Sequence, residues 1–394
     1  MSERKPAASQ RWVNESNIIG DEDVTFQPRH ADRDTGIEVI RLSTQPFINT
    51  HIYPEAPIST PDGRRFIWRR SNPFVGETNY WIADLDTLRV RQVTDEPNAG
   101  APIISLRGDW FYYTVGRDIW RMDPTTFDRE YWMTVPEDLG RTGSVSTISG
   151  DGARAATSVQ TPEGEFGVAT INLIDRNARV SFTIADCRNP HVQLSRNSDY
   201  KLSVQVNDGI SFEEHGNMLR LIGDLGASLH IVNEDGSGHV KLPVGSSPLE
   251  RVQGHQTWQG IHNRIITTTH RRATVNDPWN QHRIVTVGPD DSEYTIVGDG
   301  ERDGIHFCHM HTTPDGRYWI RDCNRTARVH IGSTKPGRHK LLANSDATFG
   351  AMQHTHPHPF FIGSGKWVGW NSDRDGTTHI FVARLPDGFL DELG

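Results

Sequence analysis

Cysteine is scarce in this chain. Cys187, Cys308 and Cys323 are all that 394 residues contain. Three thiols are too few, and odd in number, for a disulfide framework, so reduced cysteines and a cytoplasmic setting are the expectation. No run approaches the roughly 18 apolar residues that a membrane-spanning helix needs. The opening MSERKPAASQRW has no apolar segment of the signal-peptide kind. There is no basic block and the net charge is −9, which argues against a nucleic-acid role. Long amphipathic helix patterns are lacking as well. What remains is short apolar runs rich in Val, Thr and Trp, punctuated by Gly and Pro, and that reads as an all-β chain.

The runs repeat. Seven segments open with a small polar turn followed by a strand: TPDGRRFIWRR at 60, LRGDWFYYTV at 106, SGDGARAATSV at 149, RNSDYKLSVQV at 196, IHNRIITTTH at 261, TPDGRYWIRD at 313 and GSGKWVGWNS at 363. Each is followed by a second strand and usually a turn. The period is roughly 42 to 64 residues, as expected for four-stranded propeller blades. The last repeat stops after its third strand, and DTGIEVIRLS at 34–43 resembles the missing fourth one. Pairing the two would close the ring and remove an open edge. The expectation is a seven-bladed β-propeller forming one domain over residues 29–394, closed by an N-terminal strand, with 1–28 as a polar arm. An open β-solenoid or a pair of sandwiches is the alternative. Asp62, Asp151 and Asp315 read as turn formers, and most tryptophans as packing between blades.

Six of the 19 histidines fall in two windows, GIHFCHMHTTPDG (His306, His309, His311) and QHTHPHP (His354, His356, His358). Each window precedes a blade hairpin, which places it on an innermost strand lining the central channel, in consecutive blades. Residues two apart share a face of a strand, so His356 and His358 point together, as do His309 and His311. Gln353 needs a bend to join them. Prolines at 357 and 359 suit an irregular strand. Neutral imidazoles and an amide oxygen bind a borderline divalent metal such as Mn, Fe, Co, Ni or Zn. Cys308, next to His309, is expected on the opposite strand face as a packing residue. The alternative is histidines hydrogen-bonded in a polar channel.

The segments HMHTTPDG, QHTHPHPFF and GHQTW at 254–258 resemble the oligogalacturonate lyases, a family of seven-bladed propellers that cleave short pectin fragments in bacterial cytoplasm. INTHIYPEAPISTPDGRRFIW, NYWIADLDT and HIVNEDGS resemble its blade segments as well. The resemblance implies a metal site of His309, Gln353, His356 and His358, with manganese as the usual ion, and His255 as the base that abstracts a proton. It also implies an arginine just before NEDGS, where this chain has Ser228. His230 or Arg220 are the candidates to replace it.

The implied reaction is β-elimination at a 4-linked uronate in a small acidic oligosaccharide. The C5 proton is hard to remove because its loss puts a second negative charge on the adjacent carboxylate. A divalent cation offsets that charge, and a neutral histidine takes the proton. His51, Arg69, Arg70 and His191 are candidate substrate contacts, since a further carboxylate favours a basic partner. Other readings are a lyase on a glucuronate- or rhamnose-linked uronide, a metal-dependent hydrolase or isomerase, and a non-catalytic propeller that binds a partner.

Overall fold

A computed structural model describes residues 4, 5, 12, 29–43, 46–213, 218–224, 226–245, 247–252, 254–300 and 305–394. Seven antiparallel sheets follow one another along the chain, one per repeat. Blade 1 is built from Ile48–Thr50, Arg65–Asn72, Glu77–Asp84 and Arg89–Gln92. Blades 2 to 6 repeat this order, with innermost strands at Ile103–Ile104, Thr147–Ile148, Gln193–Leu194, Thr257–Trp258 and Phe307–Thr312. Blade 4 carries an additional hairpin of Ser211–Phe212 and Met218–Arg220.

Blade 7 is assembled from both ends of the repeat array. Phe360–Ile362, Trp367–Ser372 and His379–Arg384 supply three strands, and Glu38–Arg41 pairs antiparallel with the third, Val39 opposite Ala383. Arg29–Ala31 adds a fifth strand outside it. The ring closure expected from the sequence is therefore present. Inside the seam, Arg41 Nη2 donates to His379 Nε2 at 2.7 Å. On the channel side, Asn49 N donates to Thr378 O at 2.9 Å and His51 N to Asn371 Oδ1 at 2.7 Å, tying blade 1 to blade 7. Most of the proposed arm, residues 13–28, lies outside the described residues. Part of its start is described: Arg4–Lys5 pairs with the outer strand of blade 2, and the Trp12 ring packs edge-on against Phe127.

Blades pack face to face, so their middle strands are buried on both sides and need not alternate. Tyr318–Cys323 is buried at every position. Trp68, Trp258, Trp319 and Trp370 are fully buried between blades. Three of their indole nitrogens find partners: Asn49 Oδ1 for Trp68, Gln193 O for Trp258 and Ser333 O for Trp319. The Asp-Gly hairpins behave as the turn chemistry demands. Asp62, Asp151 and Asp315 each accept from a Ser or Thr hydroxyl two residues earlier, at 2.5–2.6 Å, and from the amide two residues later. Gly63 follows Asp62 at φ 69° with a carbonyl of blade 7 close by, where a side chain would be strained.

Candidate metal centre

The histidines meet where the innermost segments of blades 4 to 7 face the channel. His191, His255 and His358 occupy equivalent places, each two residues before an inner strand begins, and each has a left-handed backbone with φ of 40°, 63° and 45°. Non-glycine residues seldom adopt this conformation, and where they do the surroundings hold them there. The same turn in three blades aims three imidazoles inward.

His309 is the hub. A register irregularity between Phe307 and Met310 breaks the regular pairing of its strand. Its backbone N–H donates to Asp322 Oδ1 and its ring Nδ1 lies against Asp322 Oδ2, both at 2.8 Å. The carboxylate holds the proton of the ring on Nδ1 and leaves Nε2 with its lone pair. That Nε2 lies 3.1 Å from His358 Nε2. His358 is held by the same carboxylate, its N–H donating to Asp322 Oδ2 at 3.2 Å. His356 turns its Nε2 to the Gly350 carbonyl at 2.8 Å, and its Nδ1 is buried without a partner among the described residues. One ring nitrogen from each of His309, His356 and His358 lies within 4.8 Å of the others. Three convergent imidazoles, one of them oriented by a carboxylate, suit a divalent cation of imidazole preference. Burial holds His309 and His358 well below the usual histidine pKa, so both are neutral donors.

Several expectations are changed by the backbone. His356 and His358 do not share a strand face. A short 3-10 turn, Gln353–Thr355, precedes them, the strand begins only at Phe360, and the left-handed bend at His358 makes them converge. Gln353 lies in that turn with its side chain exposed, and its carbonyl accepts the N–H of His356 at 3.1 Å. His311 is separated from His309. Its Nδ1 accepts the N–H of Phe361 at 3.1 Å, outside the cluster. Cys308 does not pack away from the site. The irregular strand brings its sulfur to 3.8 Å from His255 Nδ1 and 3.9 Å from His309 Nε2.

His255 stands beside the hub, its ring 4.4 Å from that of His309, and burial foremost, then His309, keeps it neutral. His191 is placed 3.4 Å from Glu55 and edge-on to Tyr53. His51 is buried and stacks on Phe360 at 3.8 Å, with neither ring nitrogen hydrogen-bonded among the described residues. Arg69 is exposed on blade 1. Arg70 is buried, bonded to Asn49 Oδ1 at 2.7 Å and laid over Trp81, which makes it a packing residue of blade 1.

The two arginine substitutes do not reach the centre. His230 lies on the third strand of blade 4, bonded to Ser228 Oγ at 2.9 Å and His239 Nε2 at 2.8 Å. Burial lowers its pKa to about 4. Arg220 lies on the exposed blade 4 hairpin, paired with Asp224. A fully buried guanidinium comes instead from blade 6. Arg321 is fully buried, donates to Met310 Sδ at 3.6 Å, and its positive charge acts on His255 and His309.

Two residues of the site were not singled out from the sequence. Asp322 is a carboxylate fully buried in a strand that is buried at every position, and that alone marks it as a group with a purpose. Tyr53 has its ring 5.3–6.4 Å from those of His191, His255, His309 and His358. It follows the blade 1 inner strand and carries no motif. Burial raises its pKa, so the phenol keeps its proton. Tyr53 also lines a cavity of about 420 Å³ shared with Glu55, Ser144, Ser158, Asn189 and His191.

No protein-family model matches the chain. It is 23% identical over 388 residues to oligogalacturonate lyase of Dickeya dadantii, spanning 91% of this chain and 96% of that one. It is equally identical over 397 residues to oligogalacturonide lyase of Pectobacterium atrosepticum, with the same coverage. Among solved structures, an oligogalacturonate lyase in complex with manganese matches with a TM-score of 0.73 at 17% identity, covering 98% of this chain and 99% of that one. The oligogalacturonate lyase of Vibrio parahaemolyticus matches at 0.70 and 16% identity, covering 92% and 97%. The chain resembles the oligogalacturonate lyases along nearly its whole length, and it shares their fold.

Proposed function

We propose that this protein is a metal-dependent lyase that cleaves a 4-linked uronate in an oligogalacturonate-like saccharide by β-elimination. The observation that carries the reading is the convergence of His309, His356 and His358 beside His255. The likeness to lyases supports it, and so does the manganese in one of the similar structures.

His309, His356 and His358 would hold the ion, with Gln353 as the further ligand the resemblance implies. When bound, the ion supplies positive charge against the second negative charge that grows on the uronate carboxylate as the C5 proton leaves. Asp322 keeps His309 and His358 aimed at one point. His255 takes the proton. The tautomer that puts its Nδ1–H toward Cys308 Sγ leaves the Nε2 lone pair for C5. A neutral imidazole is the form the task requires. The cavity beside Tyr53 and His191 holds the neighbouring sugar. The C4–O bond then breaks and no water is consumed.

A second substrate reading has its own support. Among the described residues lining that cavity there is one carboxylate, Glu55, and no Lys or Arg. This favours a uronide whose neighbouring sugar is uncharged, such as a rhamnose-linked one. Three unpaired thiols support a reducing, cytoplasmic compartment. No helix among the described residues is long and apolar enough to cross a membrane.

The test is to incubate manganese-loaded protein with di- and trigalacturonate and with uronate–neutral-sugar oligosaccharides, and to follow the absorbance of the conjugated unsaturated uronide. Product from any of them supports the lyase. Reducing ends without that absorbance indicate a hydrolase and overturn it.

A further inference from the structure

We propose that the centre contains a second, overlapping metal-binding triad of His255, Cys308 and His309, which accepts a thiophilic divalent cation such as zinc, cadmium or cobalt and silences the protein when filled. The site itself stands on geometry; its silencing effect rests on the lyase reading above.

The sulfur of Cys308 lies 3.8 Å from His255 Nδ1 and 3.9 Å from His309 Nε2, and the three donor atoms are mutually within 4.8 Å. A tetrahedral ion with bonds of about 2.3 Å to sulfur and about 2.0 Å to nitrogen separates S and N by about 3.6 Å. The two sulfur–nitrogen separations therefore need to shorten by only a few tenths of an ångström. Both outer donors are held by backbone. Gly254 adopts φ 94° and has the Gln205 side chain against its α-carbon, which fixes the turn that presents His255. The irregular register of the blade 6 inner strand presents Cys308 together with His309.

The two triads share His309 Nε2, which has one lone pair, so an ion in one excludes an ion from the other. They differ in softness. His309, His356 and His358 offer nitrogen alone, which manganese accepts, whereas thiolate selects zinc and cadmium strongly over manganese. Filling the second triad releases the Cys308 thiol proton to solvent as the sulfur–metal bond forms, with no change of oxidation state. It also occupies His255 Nδ1. The ring proton then resides on Nε2, the atom that must be free to accept the C5 proton. A thiophilic ion thus removes one shared ligand and the base at once.

Cobalt provides a readout independent of turnover. Metal-free wild-type protein titrated with cobalt(II) is expected to develop thiolate-to-metal charge-transfer absorbance in the near-ultraviolet, and Cys308→Ser is expected to lack it. Zinc is expected to inhibit the manganese-loaded wild type at concentrations at least tenfold lower than it inhibits Cys308→Ser or Cys308→Ala. A wild-type cobalt spectrum with no thiolate band overturns the proposal without any variant. A band that persists in Cys308→Ser overturns it as well, since another thiol then carries it. If the thiolate band appears but no uronide yields unsaturated product, the triad stands and the lyase reading fails.

Discussion

Asp322 is the most informative residue to perturb, because it touches the proposed ligands and nothing that would react. Its carboxylate is fully buried and receives three hydrogen bonds: the N–H of His309 at 2.8 Å, the ring of His309 at 2.8 Å and the N–H of His358 at 3.2 Å. In Asp322→Asn the amide keeps one acceptor oxygen and presents an NH2 in place of the other. At least one of the three contacts then sets donor against donor. A hydrogen bond to a charged acceptor contributes about 1.5–3 kcal/mol, and each 1.4 kcal/mol is tenfold in binding. Manganese affinity should therefore fall by about 10- to 100-fold, the range usual when the carboxylate partner of a ligating histidine is removed. Isothermal titration of manganese into metal-free wild type and variant measures this directly, with circular dichroism confirming the fold. An affinity within twofold of wild type would refute the argument that Asp322 aims the two imidazoles.

His255→Asn should lower kcat for unsaturated product by about 10²- to 10⁴-fold, the usual contribution of a positioned base. Its manganese affinity should stay close to wild type, and a large loss of binding would make His255 a ligand instead. Arg220→Ala should leave turnover within twofold, because that side chain is paired with Asp224 on an exposed hairpin; a hundredfold loss would return it to the site. Acid should loosen the blade 7 seam. Burial first, then Arg41, lowers the pKa of His379 to about 3. The folded value lies below the unfolded one of about 6.5, so the stability contributed by the neutral ring is complete above about pH 6.5. It is lost progressively as pH falls toward 3. His379→Gln keeps an acceptor for Arg41 and cannot be protonated, so its denaturant midpoint should fall less between pH 7 and pH 5 than that of wild type. Parallel slopes would count against this.

The fold was legible because blades are repetitive. Hairpin turns carry Asp-Gly chemistry that is local, and the fourth-strand pattern at 34–43 could be matched with the gap at the end of the chain. The histidine cluster was legible from its two windows, and placing them on neighbouring inner segments needed only blade order. Their aim was not legible. Strand alternation put His309 with His311 and opposed to Cys308, whereas the irregularity at Phe307 and Met310 groups His309 with Cys308 instead. The left-handed turns at His191, His255 and His358 escape a period-two reading for the same reason. Asp322 sits across the blade 6 hairpin from His309, and Tyr53 comes from blade 1 by tertiary packing; neither belongs to a histidine window. Arg70 shows the opposite case: its basic side chain was read as a substrate contact, and the structure places it buried on the second strand of blade 1, against Asn49 and Trp81.

The seam in blade 7 has a consequence for how the molecule is made. Arg41 and its partner His379 are 338 positions apart. On a ribosome adding about 5–20 residues per second, the first partner emerges long before the second exists. Blades 1 to 6 can form in order of synthesis from local hairpins, but Glu38–Arg41 has no partner to pair with until His379–Arg384 has been translated. Closure is thus the last and most non-local step of assembly, and such steps are slow. Until then Glu38–Arg41 presents an unpaired edge, so nascent chains crowded on one message are most exposed to exchanging this strand with one another during that interval.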